Sequence, residues 1–210
     1  MRRPRRLRSC CLGVFLAWCV LLSAASVLAA GPAALVKNLA DRCLAVVEDE
    51  KLDEAVKYAR LRAIVEPHVD FKFMSQLVLG RHWPRHEARE PEFTPLFKKL
   101  LERTYFKQVW LKEGRGARVE YPGEKIEGRT ARVETKVITA KGEEHPVGYR
   151  LHLASAKWKI YDVLVLGMSL VSNYRSRFDK FLAKRTDDPQ AFDQLLAHLR
   201  KEIESAEDQR

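Results

Sequence analysis

Cysteine is scarce in this 210-residue sequence: there are four, and three of them fall within the first nineteen residues. Beyond that stretch only Cys43 remains, so the rest of the chain can form no internal disulfide. Stability must then come from an apolar core, and a hydrophobic content of 46% is typical of a globular protein. Cys43 falls on the apolar stripe of a predicted helix, which favours a buried residue over a nucleophile.

Recognisable catalytic and nucleotide-binding motifs are also missing. The sequence has no HExxH, no GxSxG, no phosphate-binding loop and no GxGxxG. His82 and His86 lie four residues apart, but no second pair of metal ligands accompanies them. Asp70 and Asp162 are the acid/base candidates, yet a helix cap and a hydrogen-bond acceptor at a strand end account for them. We therefore expect no catalytic residue, no metal, no cofactor and no enzymatic activity.

The first thirty residues lack any acidic side chain. Five arginines occupy the first eight positions, an apolar stretch runs from Cys10 to Leu22, and small residues follow. This order is typical of a secretory signal peptide, with cleavage after Ala29 or Ala30. An uncleaved anchor is the alternative, but the apolar stretch is shorter than the roughly 20 residues that a span needs. Residues 1–30 are thus predicted as a leader and residues 31–210 as one exported domain.

A concentrated basic surface is absent once this leader is set aside. Of 38 basic residues the leader holds five, and the other 33 face 28 acidic residues, so the net charge falls from +10 to +5. The remaining lysines and arginines are dispersed among acids, which argues against nucleic-acid binding. Dispersal also predicts no dedicated cluster of arginines for a phosphate group.

What the chain does contain is helical periodicity at both ends. Apolar residues recur at the 3.6-residue spacing, and Pro67, Gly80 and Gly114 end the predicted helices. Residues 81–91 hold two prolines without periodicity and are predicted as a loop. Thr94 is predicted to cap the next helix, with Pro95 at its first position. The predicted helices are residues 33–50, 53–66, 70–80, 94–114, 167–184 and from 188 onward.

The segments between these helices have the amino-acid composition of β-strands. Residues 117–121, 130–139, 147–154 and 157–165 are rich in valine, isoleucine, tyrosine and threonine, and Pro122-Gly123, Lys141-Gly142 and Ala154-Ser155 are predicted turns. Apolar and charged residues alternate in the second and third segments, whereas the fourth is apolar on both faces. The fold class is therefore α+β, a single domain with an antiparallel sheet of about four strands covered by N- and C-terminal helices.

Large apolar residues are more numerous than such a sheet needs on one face. They occupy two sides of the 94–114 helix, where Phe106 and Trp110 oppose Phe97, and also the sheet face and the 167–184 helix. A well-filled core explains this surplus, and so does an apolar cavity between the sheet and its helices. Periodicity alone does not separate the two.

Several segments resemble the MlaC, or toluene-tolerance, family of periplasmic phospholipid carriers. They are DFKFMSQLVLGRHW at residues 70–83, LLERTY at 100–105, WKIYDV at 158–163 and GMSLVSNYRSRF at 167–178. The resemblance covers roughly residues 35–199. One departure from the family pattern is the proline-rich stretch at residues 84–95, which bears on how partners dock there.

This resemblance implies a monomeric periplasmic carrier that shuttles phospholipid between an outer-membrane lipoprotein–porin complex and an inner-membrane ABC transporter, maintaining outer-membrane asymmetry. It also implies a curved sheet and helices that enclose the acyl chains. A carrier of another apolar ligand, such as a hopanoid or a solvent molecule, and an enzyme on the same fold are the alternatives. The expected lipid-binding residues are Met74, Leu101, Tyr105, Val109, Val133, Val137, Tyr149, Leu151, Leu153, Tyr161, Val163, Met168, Val171, Tyr174 and Phe178.

The leader generates the first prediction. Protein recovered from the periplasm should begin at Ala30 or Gly31, because signal peptidase cuts after small residues that follow the apolar stretch. N-terminal sequencing measures this directly. A first residue of Met1 would contradict it and favour the uncleaved anchor.

Overall fold

A computed structural model describes residues 31–105, 114–185 and 188–208. Within them the N-terminal part is helical and the chain then forms a sheet before returning to helices. Its α-helices are α1 (Pro32–Glu48), α2 (Glu54–Val65), α3 (Phe71–Leu79), α4 (Trp83–His86), α5 (Glu90–Leu101), α6 (Leu170–Ala183) and α7 (Ala191–Asp208). Its strands are β1 (Arg118–Glu127), β2 (Thr130–Ile138), β3 (Glu144–Ala154), β4 (Lys157–Val165) and β5 (Met168–Ser169). No helix in these ranges is both long and apolar enough to span a bilayer.

Side-chain caps begin α2 and α3, and the cap at Asp70 is the one that the sequence predicts. The Asp53 carboxylate accepts a hydrogen bond from the backbone N–H of Val56 at 2.8 Å, which starts α2. The Asp70 carboxylate accepts one from the N–H of Phe73 at 2.9 Å, which starts α3. Gly80 follows α3 with a φ of +50°, a conformation that glycine tolerates best. The predictions for α1, α2 and α3 are confirmed to within about two residues.

Two predictions between α3 and the sheet are wrong. The predicted loop at residues 81–91 is helical, because α4 lies between 3-10 turns at Gly80–His82 and Glu87–Arg89. Pro84 and Pro91 lie in the first turns of α4 and α5, where no intrahelical N–H bond is lost. These prolines therefore start helices rather than interrupt them.

The start of α5 differs for a related reason. Pro95 lies inside the helix, and the Thr94 hydroxyl donates to the Ser75 hydroxyl of α3 at 2.9 Å instead of capping α5. A wider π-helical turn follows at residues 102–105. The predicted continuation of this helix to Gly114 falls on residues 106–113, outside the described residues.

The sheet is an antiparallel meander in the order β1-β2-β3-β4-β5. The predicted turn at Pro122-Gly123 is wrong, since β1 continues through it with a bulge between Glu120 and Gly123. Pro122 is tolerated there because β1 is an edge strand and a bulge interrupts its pairing. The predicted helix start at Gly167 is also wrong: Gly167 lies in a turn, and Met168 belongs to the short strand β5.

Helices cover both faces of β4, as its two apolar faces predict. Tyr161 is an extra residue on β4, since Arg150 pairs with Asp162 and Leu151 with Ile160. This bulge lets Ile160 and Val163 both face α1 and α2, and it turns Tyr161 towards α3. The sheet therefore lies between two helical layers, with α3 and α6 on the side opposite α1.

A buried carboxylate connects β4 to α6. Asp162, which is fully buried, accepts hydrogen bonds from the Val171 N–H at 3.0 Å, the Ser169 hydroxyl at 2.6 Å and the Arg150 guanidinium at 3.2 Å. The Ser169 hydroxyl in turn accepts from the N–H of Ser172 and so caps α6. One side chain thus positions the start of a helix on the sheet.

Replacing Asp162 with alanine should therefore lower the free energy of unfolding by about 3 kcal/mol, because two donors at the start of α6 and the partly exposed Arg150 guanidinium lose a buried acceptor. Asp53→Ala is the matched control, since it removes an exposed cap alone and should cost about 1 kcal/mol. Urea unfolding of the two variants measures the difference. Equal costs would show that Asp162 is only an ordinary cap.

Candidate functional site

Two separate apolar clusters fill the protein. The sheet cluster lies between α1, α2 and the strands and consists of Val36, Leu39, Cys43, Val47, Leu61, Ile64, Ala131, Val133, Leu151 and Ile160. The helical cluster joins α3, α5, α6 and α7. Its residues are Met74, Val78, Leu79, Phe93, Phe97, Leu100, Leu101, Val171, Tyr174, Phe178, Leu182, Ala191, Phe192, Leu195, Leu196, Leu199 and Ile203.

The centre of the helical cluster is aromatic and close-packed. Phe97 contacts Tyr174 and Phe178 edge-on, with ring centroids 5.3 Å and 5.9 Å apart. Phe93 meets Phe178 in the same way at 5.7 Å. These separations are typical of rings that pack as a core. This part of the surplus of apolar residues therefore forms an ordinary interior.

An apolar cleft opens between α3 and the sheet. It has a volume of about 310 Å³ and is lined by Phe73, Leu77, Arg129, Thr130, His152, Leu153 and Tyr161. Ligand sites span about 300–1,000 Å³. The cleft is thus at the lower end of the range for a ligand site.

Aromatic contacts shape one wall of this cleft. The Phe73 ring stacks on the His152 ring with centroids 4.5 Å apart, and it meets Tyr161 edge-on at 5.4 Å. The Nε2 atom of His152 lies 3.0 Å from the Asp70 carboxylate, whose other oxygen caps α3. The Asp70 side chain therefore caps α3 and also attaches the start of this helix to His152 of β3.

The outer part of the cleft is polar. Arg129 and Thr130 are exposed at the turn between β1 and β2. The Arg129 guanidinium donates to the carbonyl oxygen of Leu153 at 2.7 Å, which holds the arginine against β3. A molecule with an apolar body and a charged end would find both kinds of surface here.

Comparison with known proteins places this architecture in a family. The family model described as MlaC protein matches residues 37–201, most of the chain. The chain belongs to the MlaC protein family.

Two relatives show how far the likeness extends. Toluene tolerance protein ttg2D of Pseudomonas putida is 26% identical over 143 residues, which are 67% of this chain and 66% of that protein. The chain therefore matches just under two thirds of that relative. A phospholipid-binding protein of Ralstonia solanacearum, solved in complex with a phospholipid, is 26% identical, with a TM-score of 0.74 over 84% of this chain and 99% of that chain.

The residues predicted to bind lipid do not gather in one place in this MlaC-family protein. Leu153 and Tyr161 line the apolar cleft. Four pack in or against the sheet cluster: Val133, Tyr149, Leu151 and Val163. Six pack in or against the helical cluster: Met74, Leu101, Tyr105, Val171, Tyr174 and Phe178.

Three other predicted positions lie elsewhere. Val137 is half-buried and belongs to neither cluster. Met168 does not share the apolar stripe of α6, because it precedes the helix and is 70% exposed. Val109 lies outside the described residues.

Five residues of the cleft were missed by the sequence reasoning. Phe73 and Leu77 are four apart on α3, so helical spacing could have placed them on one side of that helix. His152 alternates with the apolar residues of β3, and the face on which it lies is turned towards α3. Arg129 and Thr130 follow Gly128 in a hairpin turn, and no local pattern connects them with α3.

The acid/base and metal candidates have structural partners. Asp70 is a cap, as predicted, and Asp162 accepts hydrogen bonds, though within β4 rather than at its end. His82 Nε2 lies 2.9 Å from Asp179, and the His86 ring stacks on Phe192. Among the described residues no three metal-binding side chains of His, Cys, Asp or Glu come together.

Cys43 generates a further prediction. Its side chain is fully buried in the sheet cluster, and burial raises the pKa of the thiol to about 12. Because the thiolate is the reactive form, Ellman's reagent at pH 8 should label no thiol in the folded leaderless protein and one after unfolding in guanidinium chloride. Rapid labelling of the folded protein would instead show an accessible, activated cysteine.

Proposed function

We propose that this protein is a periplasmic phospholipid carrier. The observation that carries the proposal is the similarity of its fold to nearly the whole of a protein solved with a phospholipid bound. Membership of the MlaC family supports it. The apolar cleft with a polar outer part suits a ligand of the same amphipathic kind.

The physical need for such a carrier follows from the cost of exposing acyl chains to water. Each exposed methylene costs about 0.8 kcal/mol, and two chains carry on the order of thirty of them. A carrier therefore requires apolar volume and a rim that tolerates a headgroup. It requires no reactive side chain.

The acyl chains enter, on this proposal, between α3 and the sheet. The cleft is small for a diacyl lipid, so α3 must move away from β3 and β4 when lipid binds. The start of α3 is anchored, since Asp70 N–H donates to the Ile160 carbonyl at 2.9 Å and the Asp70 carboxylate holds His152. We expect α3 to pivot about this end and to widen the cleft at Phe73 and Leu77.

Carriage rather than catalysis is the activity we propose. An enzyme on this fold would need an acid/base pair with free access to the ligand. The partners of Asp162 within the described residues are Arg150, Ser169 and Val171, none of them a histidine. The Asp70–His152 pair is engaged in anchoring α3.

The remaining features of the proposal concern place and partners. The leader-like residues 1–30 support export to the periplasm. Membership of the MlaC family implies a role between an outer-membrane complex and an inner-membrane ABC transporter, and we propose that role for this protein. We also propose that the protein acts as a monomer.

Mass spectrometry of an organic extract tests the ligand class. Protein purified without detergent should carry glycerophospholipid, in roughly one lipid molecule per chain. Hopanoids or solvent molecules in its place would establish the alternative carrier, and an empty protein that also takes up no phospholipid from vesicles would contradict the proposal.

A matched pair of variants locates the site. Leu77→Trp adds a ring inside the apolar cleft from α3, so co-purified phospholipid should fall by at least about half while the thermal stability of delipidated protein changes little. Leu151→Trp, in the fully buried sheet cluster, should instead cost about 1–3 kcal/mol of stability through overpacking. Unchanged lipid content in Leu77→Trp would move the acyl chains out of this cleft.

A further inference from the structure

A second cleft lies on the protein, and its character is polar. It has a volume of about 440 Å³ and lies between the end of α3 and one side of α6. Its lining residues are Leu79, Arg81, Ser172, Arg175, Ser176 and Asp179. None of them lines the apolar cleft, so the two are distinct surfaces.

The Arg175 guanidinium lies close to the backbone of Gly80. A Cβ atom at position 80 would lie only 2.8 Å from Nε of Arg175, closer than real contacts allow. The φ of +50° at Gly80 disfavours a side chain as well. The backbone conformation is what favours glycine at this position, and the short distance shows where the Arg175 guanidinium lies. Across residues 31–105, 114–185 and 188–208 no carboxylate lies within ion-pair distance of Arg175.

The one carboxylate of the cleft is already neutralised. One carboxylate oxygen of Asp179 lies 2.8 Å from Nε of Arg81, and the other accepts a hydrogen bond from Nη2 of Arg81 at 3.1 Å. His82 Nε2 lies 2.9 Å from the same carboxylate, and the hydrogen bond with His82, with the charge of Arg81, keeps the pKa of Asp179 below its usual range. Asp179 thus orients Arg81 and leaves the charge of Arg175 uncompensated.

Hydroxyl groups complete the surface. Ser172 and Ser176 lie one turn apart on α6, with Arg175 between them in sequence, and all three residues are exposed. Residues at this spacing share one side of a helix. The cleft therefore presents two guanidinium groups and two hydroxyls against a single paired carboxylate.

The geometry points to a binding site for a phosphate group. A guanidinium donates two parallel hydrogen bonds to phosphate oxygens, and hydroxyls donate to the oxygens that remain. Arg175 would make the forked contact, Arg81 would add charge while held by Asp179, and the two serines would donate from α6. The phosphate can belong to a lipid headgroup or to a soluble phosphate. The inference does not depend on where acyl chains are held.

A nuclear magnetic resonance titration of the delipidated, leaderless protein tests this site. The probes are glycerophosphoglycerol, which is a headgroup phosphodiester without acyl chains, and inorganic phosphate in a separate titration. Backbone amide shifts should move at residues 172–176 and near Gly80. In Arg175→Gln the dissociation constant should rise about tenfold, the loss of one charge-assisted contact. Ser176→Ala should show a smaller rise in the same direction.

Lys180→Gln is the control, because it removes the same charge from α6 outside the residues that line the cleft. It should leave the dissociation constant unchanged within about twofold, whereas an equal effect of Lys180→Gln and Arg175→Gln would reduce the site to a general surface charge and overturn the inference. Binding of the phosphodiester supports a headgroup source, and binding of inorganic phosphate alone supports a soluble one. Absence of shifts with both probes would overturn the inference while leaving acyl-chain carriage untouched.

Discussion

The buried carboxylate of Asp162 is the contact on which the arrangement of the two layers depends. It lies on β4 away from water and accepts hydrogen bonds from both the start of α6 and Arg150 of β3. A buried carboxylate without such partners would be strongly unfavourable, so α6 can begin only where its N–H and cap meet this acceptor. Because α3 and α7 pack on α6, the position of the helical layer follows from this joint.

Both clefts lie at the edges of the helical layer formed by α3, α6 and α7. The apolar cleft lies where α3 meets the sheet, and the polar cleft lies where the end of α3 meets α6. A single short helix therefore borders both surfaces, with Asp70 capping its start and Gly80 ending it. Movement of α3 on binding an apolar ligand would also change the distance between Gly80 and Arg175. The two surfaces are physically connected by this helix even though they share no residue.

The apolar cleft of about 310 Å³ is small for a diacyl lipid, so a carrier with this cleft needs a wall that can open. An open apolar cavity of lipid size would be costly in water, and side chains that pack together when no ligand is bound reduce that cost. Phe73, His152 and Tyr161 pack in this way, each within about 6 Å of the others. Aromatic rings that can separate from one another suit such a wall, since each has a flat apolar face available to an acyl chain.

Local signals were sufficient for most elements because their causes are local. Asp53 and Asp70 cap helices, and alternation in residues 130–139 and 147–154 defines strands whatever they pack against. Pro84, Pro91 and Pro122 were misinterpreted, since a proline is compatible with a helix start, an edge strand or a loop, and only the surrounding structure selects among them. Most of the apolar residues that the sequence singles out are buried or half-buried, Met168 being exposed, but their division into two clusters on opposite sides of the sheet is not visible in a one-dimensional pattern.

The sequence by itself determined the α+β class, the order of helices and strands apart from α4 and β5, the buried state of Cys43 and the resemblance that family membership confirms. Each of these depends on spacing, caps or motifs contained in a short segment. Only the tertiary structure decided where a ligand can lie, because Phe73 and His152 stack across 79 residues of chain, and Arg81 and Arg175 line one cleft although they are 94 residues apart. Sequence distance carries no information about such encounters, which arise from the bulge at Tyr161 and the Asp162 joint that turn the helices onto the sheet.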